Sequence, residues 1–192
     1  MGMAGQLSQS RERADLHDRA VFLDRDGVLV RAFVRDGKAY PPQTLDEFEL
    51  LPGVTDAVRR LSEAGFRLVV ATNQPDVATG RQRRDVCEEM HRRLLEGLPI
   101  DGIEVCYHTD SDNCLCRKPK PGMLFAAAAK WSIRTDLSYM VGDSWRDVGA
   151  GKAAGCKTIL LKYNYNANLE IQPDLEVFSL WEASEAILHG HV

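Results

Sequence analysis

The sequence predicts an α/β fold: a doubly wound, mostly parallel sheet with helices on both faces. Three observations predict it. Short apolar runs of strand length alternate with segments whose apolar residues recur at helical spacing. Three of those runs end in Asp24, Thr72 and Asp143, polar residues at the carboxyl ends of strands, where such sheets bind ligands. No internal repeat or low-complexity linker divides the 192 residues, so residues 20–192 are expected to form one domain.

The elements follow in chain order. Residues 1–19 are polar and charged, with no apolar segment behind them, and are expected to be a disordered tail rather than a signal peptide. Gln6 stands where a myristoylation site wants Ser or Thr. Ala20–Leu23 is the first buried strand. Residues 31–51 carry a Pro-Pro pair and are expected to be a long polar loop over one end of the sheet. Pro52-Gly53 opens a helix that places Val54, Ala57, Val58 and Leu61 on one face, and Gly65 closes it. A second strand covers residues 66–72, a loop follows, and a helix runs from about Arg83 to Leu95. A third strand covers 102–108, and Pro121 opens the next helix, to Trp131. The remaining elements are a strand at 137–143, a helix at 144–155, a fifth strand at 157–162 and a closing helix at 179–188.

Composition limits the partners. Apolar residues make up 44% and charged residues 27%, as in soluble globular proteins. A formal charge of −4 argues against broad nucleic-acid binding, despite the local basic cluster at 81–84. No apolar run approaches membrane-spanning length. A cytoplasmic monomer acting on a small molecule, with neither nucleic acid nor membrane as partner, is the expectation.

The chemistry concentrates in acids. "VFLDRDG" places Asp24 and Asp26 one residue apart, with Gly27 to turn the chain. Such a pair, joined by Asp143, repels itself unless a cation sits there, and a few hard oxygen ligands suit Mg²⁺. An isolated D-x-D-G is equally well a strand-end turn. Three further features, in order along the chain, favour the site: Thr72 after "LVVA", Lys118 in "RKPKPG", and Asp143 with Asp147 one helical turn later in "VGDSWRD".

A second cluster lies in "VCYHTDSDNCLCRKP". Cys106, His108, Cys114 and Cys116 form C-x-H, five residues, then C-x-C. Alternate residues of an extended chain share a side, so each pair can bite one ion, and four such ligands make a closed, structural Zn²⁺ site. A disulfide or a chance cluster are the alternatives, and a reducing compartment weakens the first. Cys87 and Cys156 read as core residues. His17, His189 and His191 read as solvated, and His91 as surface among arginines. The three tryptophans read as packed on the core, with Trp145 close enough to Asp143 to reach its pocket.

The four acid, hydroxyl, lysine and acid motifs, spanning Val21 to about Leu161, resemble the haloacid dehalogenase superfamily of phosphohydrolases. The resemblance implies a phosphatase with Asp24 as nucleophile and Asp26 as general acid and base. It implies that Thr72 hydrogen-bonds the phosphoryl group, Lys118 neutralises it and Asp147 orients the lysine or a metal-bound water. Magnesium would be held by Asp24, the carbonyl of Asp26, and Asp143. With the cysteine loop, "TNQ" and "CRKPKPGM", the chain looks like the branch containing heptose bisphosphate and histidinol-phosphate phosphatases. That implies no large cap, a small phosphorylated sugar as substrate, and substrate contacts from Asn73 and Arg117. Pro75, Ser144 and the long 31–51 connection depart from the branch pattern, all in regions that recognise substrate. A phospho-accepting receiver module and a nucleic-acid end-healing phosphatase are the competing readings. Asp26 and the cysteine loop have no place in the first, and the net negative charge opposes the second.

Overall fold

A computed structural model describes residues 18–166 and 171–192; residues 1–17, which hold most of the expected tail and His17, lie outside the described residues. Strand β1 (Ala20–Leu23) lies mid-sheet and is buried along its whole length. It pairs in parallel with β4 (Arg67–Asn73) on one side and β6 (Tyr139–Gly142) on the other. β5 (Gly102–Cys106) extends the sheet beyond β4, and β7 (Lys157–Leu161) and β8 (Leu175–Val177) extend it beyond β6. The order is β5-β4-β1-β6-β7-β8, with every pairing parallel.

Helices cover both faces, which is why the strands read as continuous apolar runs instead of alternating ones. Val21 and Leu23 point to a core shared with α1 (Val54–Glu63) and α6 (Leu180–His189), among Val58, Leu61 and Ile187. Ala20 and Phe22 point to the opposite core, shared with α4 (Gly122–Trp131), among Met123, Leu124 and Met140. Each of the larger of these side chains, fully buried, contributes about 1.5–3 kcal/mol. Two more helices lie near the site: α2 (Pro75–Ala78) and α3 (Arg84–Gly97). The last unplaced helix is α5 (Trp145–Ala154). Its N-cap Ser144 forms a capping box with Asp147, and Gly155 ends it in the left-handed region.

The structure departs from expectation in several places. Residues 31–51 are not all loop: β2 (Phe33–Arg35) and β3 (Lys38–Tyr40) form a hairpin turned by Asp36 and Gly37, both at positive φ. Asp-Gly suits that two-residue turn. β8 is a sixth strand, and β4 runs one residue past Thr72. His91 is buried, facing inward with Cys87, Met90 and Leu94. Trp145 and Trp181 are 38% and 40% exposed and so are not core residues. No helix among the described residues is long and apolar enough to cross a membrane.

Candidate active site

Asp24 leaves the carboxyl end of β1 with its N–H still donated to Val141 O, so the sheet itself fixes where the carboxylate begins. Its Oδ1 accepts from the Arg25 N–H at 2.7 Å and pairs with Lys118 Nζ at 2.9 Å. Lys118 comes from the segment before α4, and only 1% of it is exposed. The Asn73 amide brackets its backbone: Lys118 N donates to Oδ1 and Nδ2 donates to the Lys118 carbonyl, both at 3.1 Å. Lys118 Nζ also meets Asp147 Oδ1 at 2.5 Å. Asp147 Oδ2 accepts from Ser144 N and Oγ at 3.0 and 2.6 Å, so both of its oxygens are engaged.

Asp143 completes the acidic group. Tyr165 OH donates to its Oδ2 at 2.6 Å, and Asn166 Nδ2 donates to its carbonyl at 2.8 Å. Carboxylate oxygens of Asp24, Asp143 and Asp147 lie within 4.8 Å of one another. Burial, then the charge of Asp147, pushes Asp24 up to about 7 against the opposing pull of Lys118. Burial and Asp24 likewise hold Asp143 well above the carboxylate range. Burial pulls Lys118 down, but Asp147 and Asp24 outweigh it and hold the ammonium above its ordinary value. Three acids against one lysine leave a negative excess that a divalent cation would match. Asp24 and Asp143 each keep an oxygen without a hydrogen-bond donor among the described residues, whereas Asp147 does not. The donor set fits magnesium.

Gly27 is required twice over. Its φ is +83°, and a Cβ there would stand 2.1 Å from Asp143 Oδ2. Any side chain would be both strained and driven into the cation site.

Asp26 is held apart from the acids. Arg25 Nε and Nη2 donate to its two oxygens at 3.0 Å each, and Gln74 Nε2 donates to Oδ2 at 2.7 Å. Gln74 also donates to Thr72 Oγ1 at 2.8 Å. Arg25, Gln74 and Tyr165 were not singled out by sequence reasoning. Arg25 lies inside the motif, between the two acids, with no signal of its own, and Tyr165 follows the last predicted strand with no distinguishing pattern.

Asp24, Asp26, Asn73, Arg117, Lys118 and Asp143 all line one cavity of about 530 Å³. The hairpin contributes Lys38 and Tyr40 to its wall, and Trp145 and Arg146 line it from the start of α5. Thr72, 1% exposed, is not among the lining residues.

The four sulfur and nitrogen ligands also meet. Cys106 Sγ lies 3.7 Å from Cys114 Sγ, 3.3 Å from Cys116 Sγ and 3.6 Å from His108 Nδ1. Cys116 Sγ lies 3.4 Å from Cys114 Sγ and 3.3 Å from His108 Nδ1. A tetrahedron with Zn–S bonds of about 2.3 Å has edges of about 3.8 Å, so the group has the size of a zinc site. None of the three cysteine sulfurs is bonded to another: at 3.3–3.7 Å they stand well beyond disulfide length, and all three are free thiols. Arg117, next in the chain, donates through Nε to Asp110 Oδ1 at 2.7 Å and through Nη1 to the His108 carbonyl at 3.2 Å.

Comparison with known proteins gives concordant matches. The family model for haloacid dehalogenase-like hydrolases matches residues 32–155. D-glycero-beta-D-manno-heptose-1,7-bisphosphate 7-phosphatase of Pseudomonas putida is 40% identical over 149 residues, covering 75% of this chain and 82% of that protein. The enzyme of that name from Neisseria meningitidis serogroup A is 38% identical over 148 residues, covering 74% and 76%. Among solved structures, D,D-heptose 1,7-bisphosphate phosphatase from B. bronchiseptica, complexed with magnesium and phosphate, superposes with a TM-score of 0.75 at 31% identity. That match covers 90% of this chain and 99% of the other.

Proposed function

Because this chain belongs to the haloacid dehalogenase-like hydrolases and is a phosphoric monoester hydrolase, we propose that it removes the 7-phosphate of D-glycero-D-manno-heptose 1,7-bisphosphate. The observation that carries this reading is Asp24. It is a carboxylate fixed by Lys118 and a backbone N–H on the wall of a cavity sized for a small phosphorylated sugar. Relatives at 33–40% identity bear the name of that activity.

In this reading an Asp24 oxygen attacks phosphorus in line with the leaving sugar oxygen. Asp26 gives that oxygen its proton, and an aspartyl-phosphate forms on Asp24. Asp26 then takes a proton from water, whose oxygen displaces Asp24 from phosphorus and releases phosphate. Lys118 neutralises charge on Asp24 and on the transferring group, and Asp147 keeps the ammonium aimed between them. Thr72 hydrogen-bonds the phosphoryl group, and Asn73 and Arg117 contact the substrate. Asp24, the Asp26 carbonyl and Asp143 would hold magnesium, which would supply charge neutralisation for the transferring group. Zinc, held by Cys106, His108, Cys114 and Cys116, is structural and fixes the loop that presents Arg117 and Lys118. Residues 20–192 act as one domain without a large cap, the hairpin and Arg117, which follows the zinc loop, lining the cavity.

The direct test is phosphate release with magnesium from a panel: both anomers of heptose 1,7-bisphosphate, histidinol phosphate, fructose 1,6-bisphosphate and a 3′-phosphorylated oligonucleotide. A clear kcat/KM preference for a heptose bisphosphate is expected. Preference for another ester would keep the chemistry and reassign the pocket, with Pro75 and Ser144 the first positions to exchange.

Two metal predictions accompany it. Elemental analysis of carefully purified protein is expected to find about one zinc per chain, and Cys116→Ser should lose it together with thermal stability. Zinc-free protein of full stability would remove the structural role. Magnesium needs Asp24 ionised, and in the metal-free chain that carboxyl is held up to about 7. Magnesium affinity by calorimetric titration should therefore fall as pH drops below about 7, by up to about tenfold per unit. A flat profile between about pH 8 and 5 would contradict it.

A further inference from the structure

Asp26 is gripped by a side chain that the chemistry above leaves unused. Arg25 is fully buried, and arginine is almost never so without a partner. Its guanidinium makes two near-parallel bonds to Asp26, Nε to Oδ1 and Nη2 to Oδ2, each 3.0 Å. That fork fixes the plane of the carboxylate as well as its position. The third nitrogen turns to the core. Arg25 Nη1 lies 3.0 Å from His91 Nε2 and 3.5 Å from Cys87 Sγ, both on the inner face of α3. Burial, and then the nearby guanidinium, holds His91 down to about 3, so its ring is neutral and Nε2 can accept from Arg25. The arginine is thus tied at both ends, to a carboxylate on the cavity side and to a neutral acceptor on the helix side.

We infer that Arg25, braced by His91, is a positioning residue that sets the Asp26 carboxyl for its two proton transfers. This rests on Asp26 being the acid and base of the proposed reaction. In the first step the Asp24 O–P bond forms, the bond to the leaving oxygen breaks, and that oxygen takes the Asp26 proton. In the second the water O–P bond forms, the Asp24 O–P bond breaks, and the water proton returns to Asp26. No bond of the Arg25 side chain is made or broken in either step: it hydrogen-bonds the Asp26 oxygens and reaches the reaction only through them. It acts by removing the torsional freedom that would let the carboxyl swing out of hydrogen-bond reach.

The test uses p-nitrophenyl phosphate, whose leaving group departs without a proton, beside an alkyl sugar phosphate, whose leaving group needs one. With Arg25→Met, the aryl ester should give a rapid burst of about one nitrophenolate per chain, then turnover slower than native on the order of 10²-fold. Acid quenching should trap the phosphoryl group on Asp24, and the alkyl ester should show no burst. Arg25→Lys keeps the charge but loses the fork, and should show the burst with partly restored turnover. His91→Leu should give the same pattern more weakly, and His91→Gln, which keeps an acceptor, should behave as native. Equal losses on both esters without a burst would reduce Arg25 to a structural role and overturn the inference. If Arg25→Met does not fold, the His91 pair decides: His91→Leu without a burst overturns it. Asp26→Asn is the reference. Native turnover in that variant would overturn the acid–base reading itself, a result distinct from failure of Arg25 alone.

Discussion

Asp24→Asn is expected to cut phosphate release on the order of 10⁴-fold or more, because the amide cannot take the phosphoryl group while all its neighbours remain. The change is nearly isosteric, and Oδ1 can still accept from the Arg25 N–H and from Lys118. Its second signature lies in stability. In the native, metal-free chain the folded Asp24 carboxyl sits near 7, against an ordinary value of 3.8. The folded state therefore binds the proton more tightly than the unfolded state, and this group favours folding as pH falls from about 7 toward 4. Above that window the ionised carboxylate opposes folding. Asn at this position removes the penalty, so the metal-free variant should melt higher than native at about pH 8 and converge with it near pH 4. Circular dichroism melts at the two pH values check this. A variant that loses activity and also melts lower at both would mean that Asp24 chiefly holds the fold.

Lys118→Met should have the largest combined effect. The ammonium pairs with Asp24 and with Asp147, two acids in a site where Asp147 is 1% exposed. Removing one partner of a buried pair strands the other, at about 3–5 kcal/mol. Here two acids are stranded, with Asp143 adding to their repulsion. Turnover should fall on the order of 10²–10³-fold through lost charge stabilisation. The stability loss should shrink as pH falls below 7, where the raised carboxyls regain protons in the folded state, and also on adding magnesium. Urea melts with and without magnesium measure it. A loss that ignores both pH and magnesium would mean that packing of the lysine stem, not its charge, is what matters.

What could be read from residues alone divides along physical lines. Asp24, Thr72 and Asp143 were legible because strands buried on both faces are unbroken apolar runs, so a polar residue marks their ends. The cysteine loop was legible from ligand type and spacing. β8 was not, since "LEV" is only three residues and carries no period. The hairpin at 33–40 had its Asp-Gly signal, but β3 is exposed throughout, so no buried face gave it a pattern. His91 stood at a core spacing with Cys87, Met90 and Leu94, and the arginines beside it obscured that. Arg25 could not be recognised at all: its burial depends on partners 62 and 66 residues away.

The position of β1 has a consequence for the making of the protein. It is synthesised first among the strands, yet it lies between β4 and β6, with Val21 opposite Tyr139. A nascent chain therefore carries the Asp24 carboxylate with one flank of the sheet absent until β6 has been made. Asp143 and Tyr165 arrive later still. Parallel pairing across such separations is slow to form. The acidic group around Asp24 is thus completed only after Asp143 and Tyr165 have been made, and a product of interrupted translation that stops before them carries Asp24 without its neighbours.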